Sequence, residues 1–125
     1  MATGTLIAES LRVGATLGDV PFLVREVERV APTNLSDAQR AAGFPEHWTL
    51  LRFEVDDGQA QRLADACAEV LDDLGWYVDF HTEHESFVVF ADRVCRYRRG
   101  DEAGRAEAEA VARERGVPDA QIDWP

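Results

Sequence analysis

Asp79, His81, Glu83, His84 and Glu85 are the one local group of metal-competent, acid/base side chains in this chain. In an extended segment alternate residues share a face. Tyr77, Asp79, His81 and Glu83 therefore point one way, and Trp76, Val78 and Phe80 the other. On such a strand His81 and Glu83 reach toward one ion, with His84 beyond them in a turn. A further ligand has to come from elsewhere, such as His47. Zinc and iron sites use His/carboxylate sets of this kind. An i, i+2 spacing is equally what the solvated face of a half-buried antiparallel sheet shows.

A second grouping is basic. Arg93, Arg96, Arg98, Arg99 and Arg105 lie close in sequence, and Arg96 and Arg98 share a strand face. Guanidinium forks bind phosphate or carboxylate; a charged last strand also protects a sheet edge without any ligand. Tyr77, Asp79, His81, Glu83, Arg96 and Arg98 are thus the candidate ligand-binding residues, and His81, Glu83 and His84 the candidate metal set. No catalytic residue is assigned. Cys95 reads as a core thiol, and Ser10, Ser36 and Ser86 lie in no nucleophile-elbow motif. No glycine-rich nucleotide fingerprint occurs, so no cofactor is expected. All 13 cations are Arg, which rules out Schiff-base lysine chemistry and a phosphate-loop lysine.

The chain has 125 residues, the size of one domain spanning 1–125. Its formal net charge of −11 disfavours nucleic acid and anionic membrane surfaces. No apolar run approaches the roughly 20 residues of a membrane span. The N-terminus lacks a basic region and meets Glu9 early, so a cytoplasmic location is expected. Cys67 and Cys95 have no paired spacing and are expected to be reduced.

These groups need a scaffold. Strand patterns cover 5–13, 48–55, 76–83, 87–91 and 94–99. Residues 22–31 fit a helical stripe or an exposed strand, and Pro21 and Pro32 at their ends favour the strand. Ser36 followed by Gln39 resembles a capping box opening a short helix inside the long connection 32–47. The strongest periodicity runs through Ala60, Leu63, Ala64, Cys67, Val70, Leu71 and Leu74 and predicts a helix over 57–74. A second helix is predicted over 101–115, with Ala103, Ala106, Ala110 and Val111 facing inward. Ile122 and Trp124 are expected to tuck the tail onto the body. The expected fold is a single α+β domain: a mainly antiparallel sheet of five or six strands against two helices, the second on the same face or at the end.

The runs Trp-Tyr-Val-Asp-Phe at 76–80, Phe-Val-Val-Phe at 87–90, Arg-Tyr-Arg-Arg-Gly-Asp at 96–101 and Gly-Val-Pro-Asp-Ala-Gln-Ile-Asp-Trp at 116–124 carry a resemblance. The chain resembles a family of small bacterial proteins common in GC-rich Gram-positive genomes, for which no function is established. The similarity spans most of the chain, including 7–11. It implies no catalytic residue, and supports reading the chain as a complete standalone protein.

The expected function is a non-catalytic binding or regulatory module for a small anionic ligand or a protein partner, with a homodimer through a sheet edge or face as one form. The alternative is a small metal-dependent or acid/base enzyme centred on Asp79, His81, Glu83 and His84.

Overall fold

Runs rich in branched and aromatic side chains favour extended backbone, and six segments become strands. They are β1 (Ala2–Ile7), β2 (Leu23–Val30), β3 (Trp48–Val55), β4 (Val78–His81), β5 (Glu85–Phe90) and β6 (Arg93–Arg98). The computed structural model describes residues 1–124. The strands form one sheet in the order β2-β3-β1-β4-β5-β6, every neighbouring pair antiparallel. Helices α1 (Asp37–Ala41), α2 (Ala60–Val70) and α3 (Glu102–Glu114) complete an α+β fold. Residues 22–31 are mostly strand, and β2 is exposed along nearly its whole length.

The apolar stripe of α2 seats Leu63, Ala64 and Cys67 on Val78, Phe80, Phe87 and Val89. Each fully buried Leu, Val or Phe contributes roughly 1.5–3 kcal/mol. α3 lies on the opposite face, over Val88, Phe90, Cys95 and Tyr97, rather than beside α2. The alternation along β5 sorts Phe87 and Val89 to one layer and Val88 and Phe90 to the other. The buried side of α3 is Ala108, Val111 and Ala112, not the expected Ala103, Ala106 and Ala110. Gly104 decides this rotation. A Cβ there would sit 2.4 Å from Tyr97 Cβ, so the helix rests its glycine on the tyrosine.

Three expected elements stop early, two because the chain leaves them for a long-range pairing and one at a local turn. The strand expected over 5–13 ends at Ile7 and passes into a 3-10 turn, Ala8–Ser10. Buried Ser10 donates its hydroxyl to the Ile7 carbonyl at 2.6 Å, and Leu11 bridges Leu71. That bridge also ends α2 at Val70, leaving Leu74 exposed rather than on the buried stripe. Likewise the strand expected over 76–83 is only Val78–His81. Thr82 Oγ1 accepts from the amides of His84 and Glu85 and closes the hairpin.

β1 and β4 touch unusually closely. A Cβ on Gly4 would lie 2.3 Å from the Asp79 carbonyl oxygen and 2.4 Å from Phe80 Cβ. Only glycine fits there, and the contact sets the height of Asp79 against β1.

Candidate functional site

α3 and the C-terminal tail cover one face of the sheet over β4, β5 and β6. The same face over β1, β3 and β2 carries no helix. A cleft of about 440 Å³ opens there. Thr5, Leu50 and Arg52 form its floor, residues 31–34 one wall, and Gln121 and Asp123 of the tail the other. Its closed end is aromatic: Trp48 and Trp76 have centroids 5.1 Å apart, and Phe44 stacks on Trp76 at 4.5 Å.

The walls are tied to each other. Gln39 and Gln121 exchange amide hydrogen bonds, each 3.0 Å, and both are buried. Gln121 Nε2 also donates to Asn34. The expected capping box is present, with Gln39 N donating to Ser36 Oγ and Ser36 N to Gln39 Oε1. The tail tucks as expected: Trp124 is buried, its carbonyl accepts from Arg105 Nη1, and its ring lies under that guanidinium.

Asp79 sits where the covered and open halves meet, paired with Thr5 on β1 and Val88 on β5. It lines the main cleft, a shallower hollow of about 330 Å³ running past Thr3 and His81, and a small void against Trp124. Among the described residues no side chain is hydrogen-bonded or ion-paired to its carboxylate, and its own backbone amide donates to it. Burial, then the charge of Asp123, pushes the carboxyl up to about 6. Tyr77 donates its hydroxyl to the Gln121 carbonyl and lies 3.0 Å from Asp123 Oδ1. Burial first, then the Asp123 and Asp79 charges, raises this phenol well above its ordinary range. Arg52, among the described residues the one cation lining the cleft, is occupied: its Nη1 lies 2.9 Å from Glu28 Oε1 and 3.6 Å from Glu26 Oε2.

The other candidates are dispersed. Tyr77, Asp79 and His81 share a face as expected, but Glu83 and His84 stand exposed in the hairpin, 4.0 Å from each other. Thr82 and Glu83 no longer follow the strand, so alternation fails after His81. His47 precedes Trp48 at the far end of β3, whereas His81 lies level with Thr3 and Glu54 at the other end. Among the described residues no three His, Cys, Asp or Glu are placed to hold a metal ion. The expected set His81, Glu83 and His84 is therefore not assembled. Burial, then the Arg99 charge, lowers the His81 pKa.

Arg96 and Arg98 lie on the opposite face, on edge strand β6. Arg96 forks onto Glu85 at 2.6 and 2.7 Å, donates to Gln61 at 3.0 Å, and covers the Phe87 ring. The hydrogen bond from Arg96 leads in holding the Glu85 carboxyl below its ordinary value. Burial pushes the Cys67 thiol up to about 12 and raises Cys95 as well, so both are core thiols.

Sequence reasoning missed Thr5, Leu50, Arg52, Asn34, Gln121 and Asp123. They join Asp79 only through the pairing of β1 with β3 and β4 and through the tail. The one legible signal was the apolar Ile122 and Trp124 flanking Asp123. No family model, curated protein or solved structure matches the chain. Among the described residues no helix is long and apolar enough to cross a membrane.

Proposed function

We propose that this protein is a binding module that holds a small organic ligand in the cleft around Asp79. One observation carries the reading: half of one sheet face, covered only in part by Leu35 and Phe44 of the segment 31–47, holds a cleft walled in by two tied segments, with a half-buried carboxylate at its inner edge. A volume of about 440 Å³ lies in the range of small-molecule sites, about 300–1,000 Å³. Aromatic side chains with a few polar groups are the usual lining of such sites. Rigid walls suit binding, because little ordering is left to be done when the ligand arrives.

Arg96 supports this placement by being engaged already. An anion at Arg96 has to displace Glu85 from a bidentate fork.

The test is a fragment screen by ¹H–¹⁵N NMR on the full chain. Hits are expected to shift the Thr5, Trp48, Trp76 and Asp79 signals together. Hits gathering at Arg96 and Arg98 instead, with a silent cleft, overturn the reading. Acid/base chemistry is the second reading, supported by an Asp79 carboxyl near neutrality. Turnover of a cleft-bound hit that Asp79→Asn abolishes would establish it.

A further inference from the structure

Building on that cleft, we infer that its ligand is an organic cation: an ammonium or amidinium group carried on a flat apolar body. The inference rests on the proposed site and adds the chemistry of the ligand.

Charge decides the head group. Asp79 and Asp123 both line the cleft, and the Asp79 carboxylate has no ionic partner among the described residues. Arg52, the obvious partner, is turned to Glu28 and Glu26 of β2. The cleft is thus left with negative charge on a partly buried carboxylate. A buried carboxylate with no partner is costly, and an ion of opposite sign at hydrogen-bond distance removes most of that cost. An anion meets the reverse situation. It faces two carboxylates, and Arg52, the cation that lines the cleft among the described residues, is already shared by two glutamates. The groups facing Asp79 agree: burial, then the Asp123 charge, raises its pKa, and burial, then the Arg99 charge, lowers that of His81 on the same strand. The protein's net charge of −11 draws cations toward the surface before they dock.

The body of the ligand follows from the closed end. Trp48 and Trp76 form a tilted aromatic pair there, and Ile7 and Leu50 extend it along the floor. Such walls take a flat apolar group, and indole faces also favour a nearby cation.

Tryptamine and indole-3-acetate share one indole body and carry opposite charges, so they isolate the head group. With the full chain at pH 7.5 (about 1.5 above the Asp79 value of about 6), tryptamine should shift the Trp48 and Trp76 indole signals saturably. Indole-3-acetate should leave them in place. Asp79→Asn, which keeps the shape of the side chain, should weaken tryptamine at least tenfold. Equal binding of indole-3-acetate, or unchanged tryptamine binding by Asp79→Asn, overturns the inference. So does silence toward tryptamine while neutral fragments occupy the cleft, and in that case the binding cleft itself stands. Silence toward both probes and toward every fragment overturns the cleft as well.

Discussion

A carboxyl that releases its proton near 3.8 in the unfolded chain and near 6 in the folded one makes the native state the better proton acceptor in between. Stability then falls as pH rises through that window, and the whole loss is present above the folded value. For Asp79 the difference amounts to on the order of 2–3 kcal/mol. Asp79→Asn removes the charge and keeps the shape. It should therefore raise the unfolding free energy by on the order of 2 kcal/mol at pH 8. Near pH 3.5, where the native carboxyl is already neutral, it should change little. Urea melts at the two pH values measure this. A variant no more stable at pH 8 than the parent would mean that the carboxylate is solvated or paired after all. A side chain that weakens its own fold at neutral pH is what a binding site requires. Arg96 shows the contrasting pattern, a charge fully engaged in structure.

Among the elements, β2 and β6 are the two sheet edges, where unpaired backbone invites a second copy. The β2 run Val24–Val30 reads the same in both directions: Val-Arg-Glu-Val-Glu-Arg-Val. Two such strands, paired antiparallel over that whole run, set Glu26 against Glu28 and Arg25 against Arg29. Like charges directly opposed destabilise a strand pair. The bulge between Val24 and Glu26 twists the edge further from flat pairing. On β6, Arg93, Arg96 and Arg98 guard the other edge. Although Leu23 and Val27 are exposed, the isolated protein should therefore sediment as a monomer at micromolar concentration. Replacing Glu26 and Glu28 with Thr should promote association. A stable parent dimer joined at β2 would refute this. The same scale shows what the chain disclosed. Period-two and helical stripes located the strands and α2 because they are local properties of a few neighbouring side chains. Where Ile7 and Val70 end their elements depends on Leu11 meeting Leu71, sixty residues away in sequence. The face of α3 was hidden because alanine occurs on every side of it, and Gly104 against Tyr97 made the choice. The shared face of Tyr77, Asp79 and His81 was legible from alternation. The rest of the cleft was not, since Arg52 and Asp123 join it only through tertiary pairing.

At the level of the whole molecule, the sheet is sandwiched between α2 and α3 on one half, and on the other half one face is covered only in part, by Leu35 and Phe44. The cleft exists because the tail crosses from the covered half and is pinned to the segment before α1. Gln121 makes that connection, bonding Asn34 in that segment and Gln39 inside α1. Gln39 caps α1 through Ser36 and, with the same amide, holds Gln121. Gln121→Ala should leave the buried Gln39 Nε2 without its acceptor, while Gln39 Oε1 keeps the Ser36 amide, and should destabilise the protein by about 1–3 kcal/mol. The damage should be local. Hydrogen exchange should accelerate together in 33–36 and 119–124, two segments far apart in sequence, while the amides of α2 and β5 keep their protection. Tyr77 should respond too, because its hydroxyl is bonded to the Gln121 carbonyl and faces Asp123. If exchange rises in the tail alone, the two walls are independent and the cleft is not held open as a unit. If it rises in both, a ligand seated between them should slow exchange at both again. The same amide pair would then set the shape of the site and the order of the chain terminus.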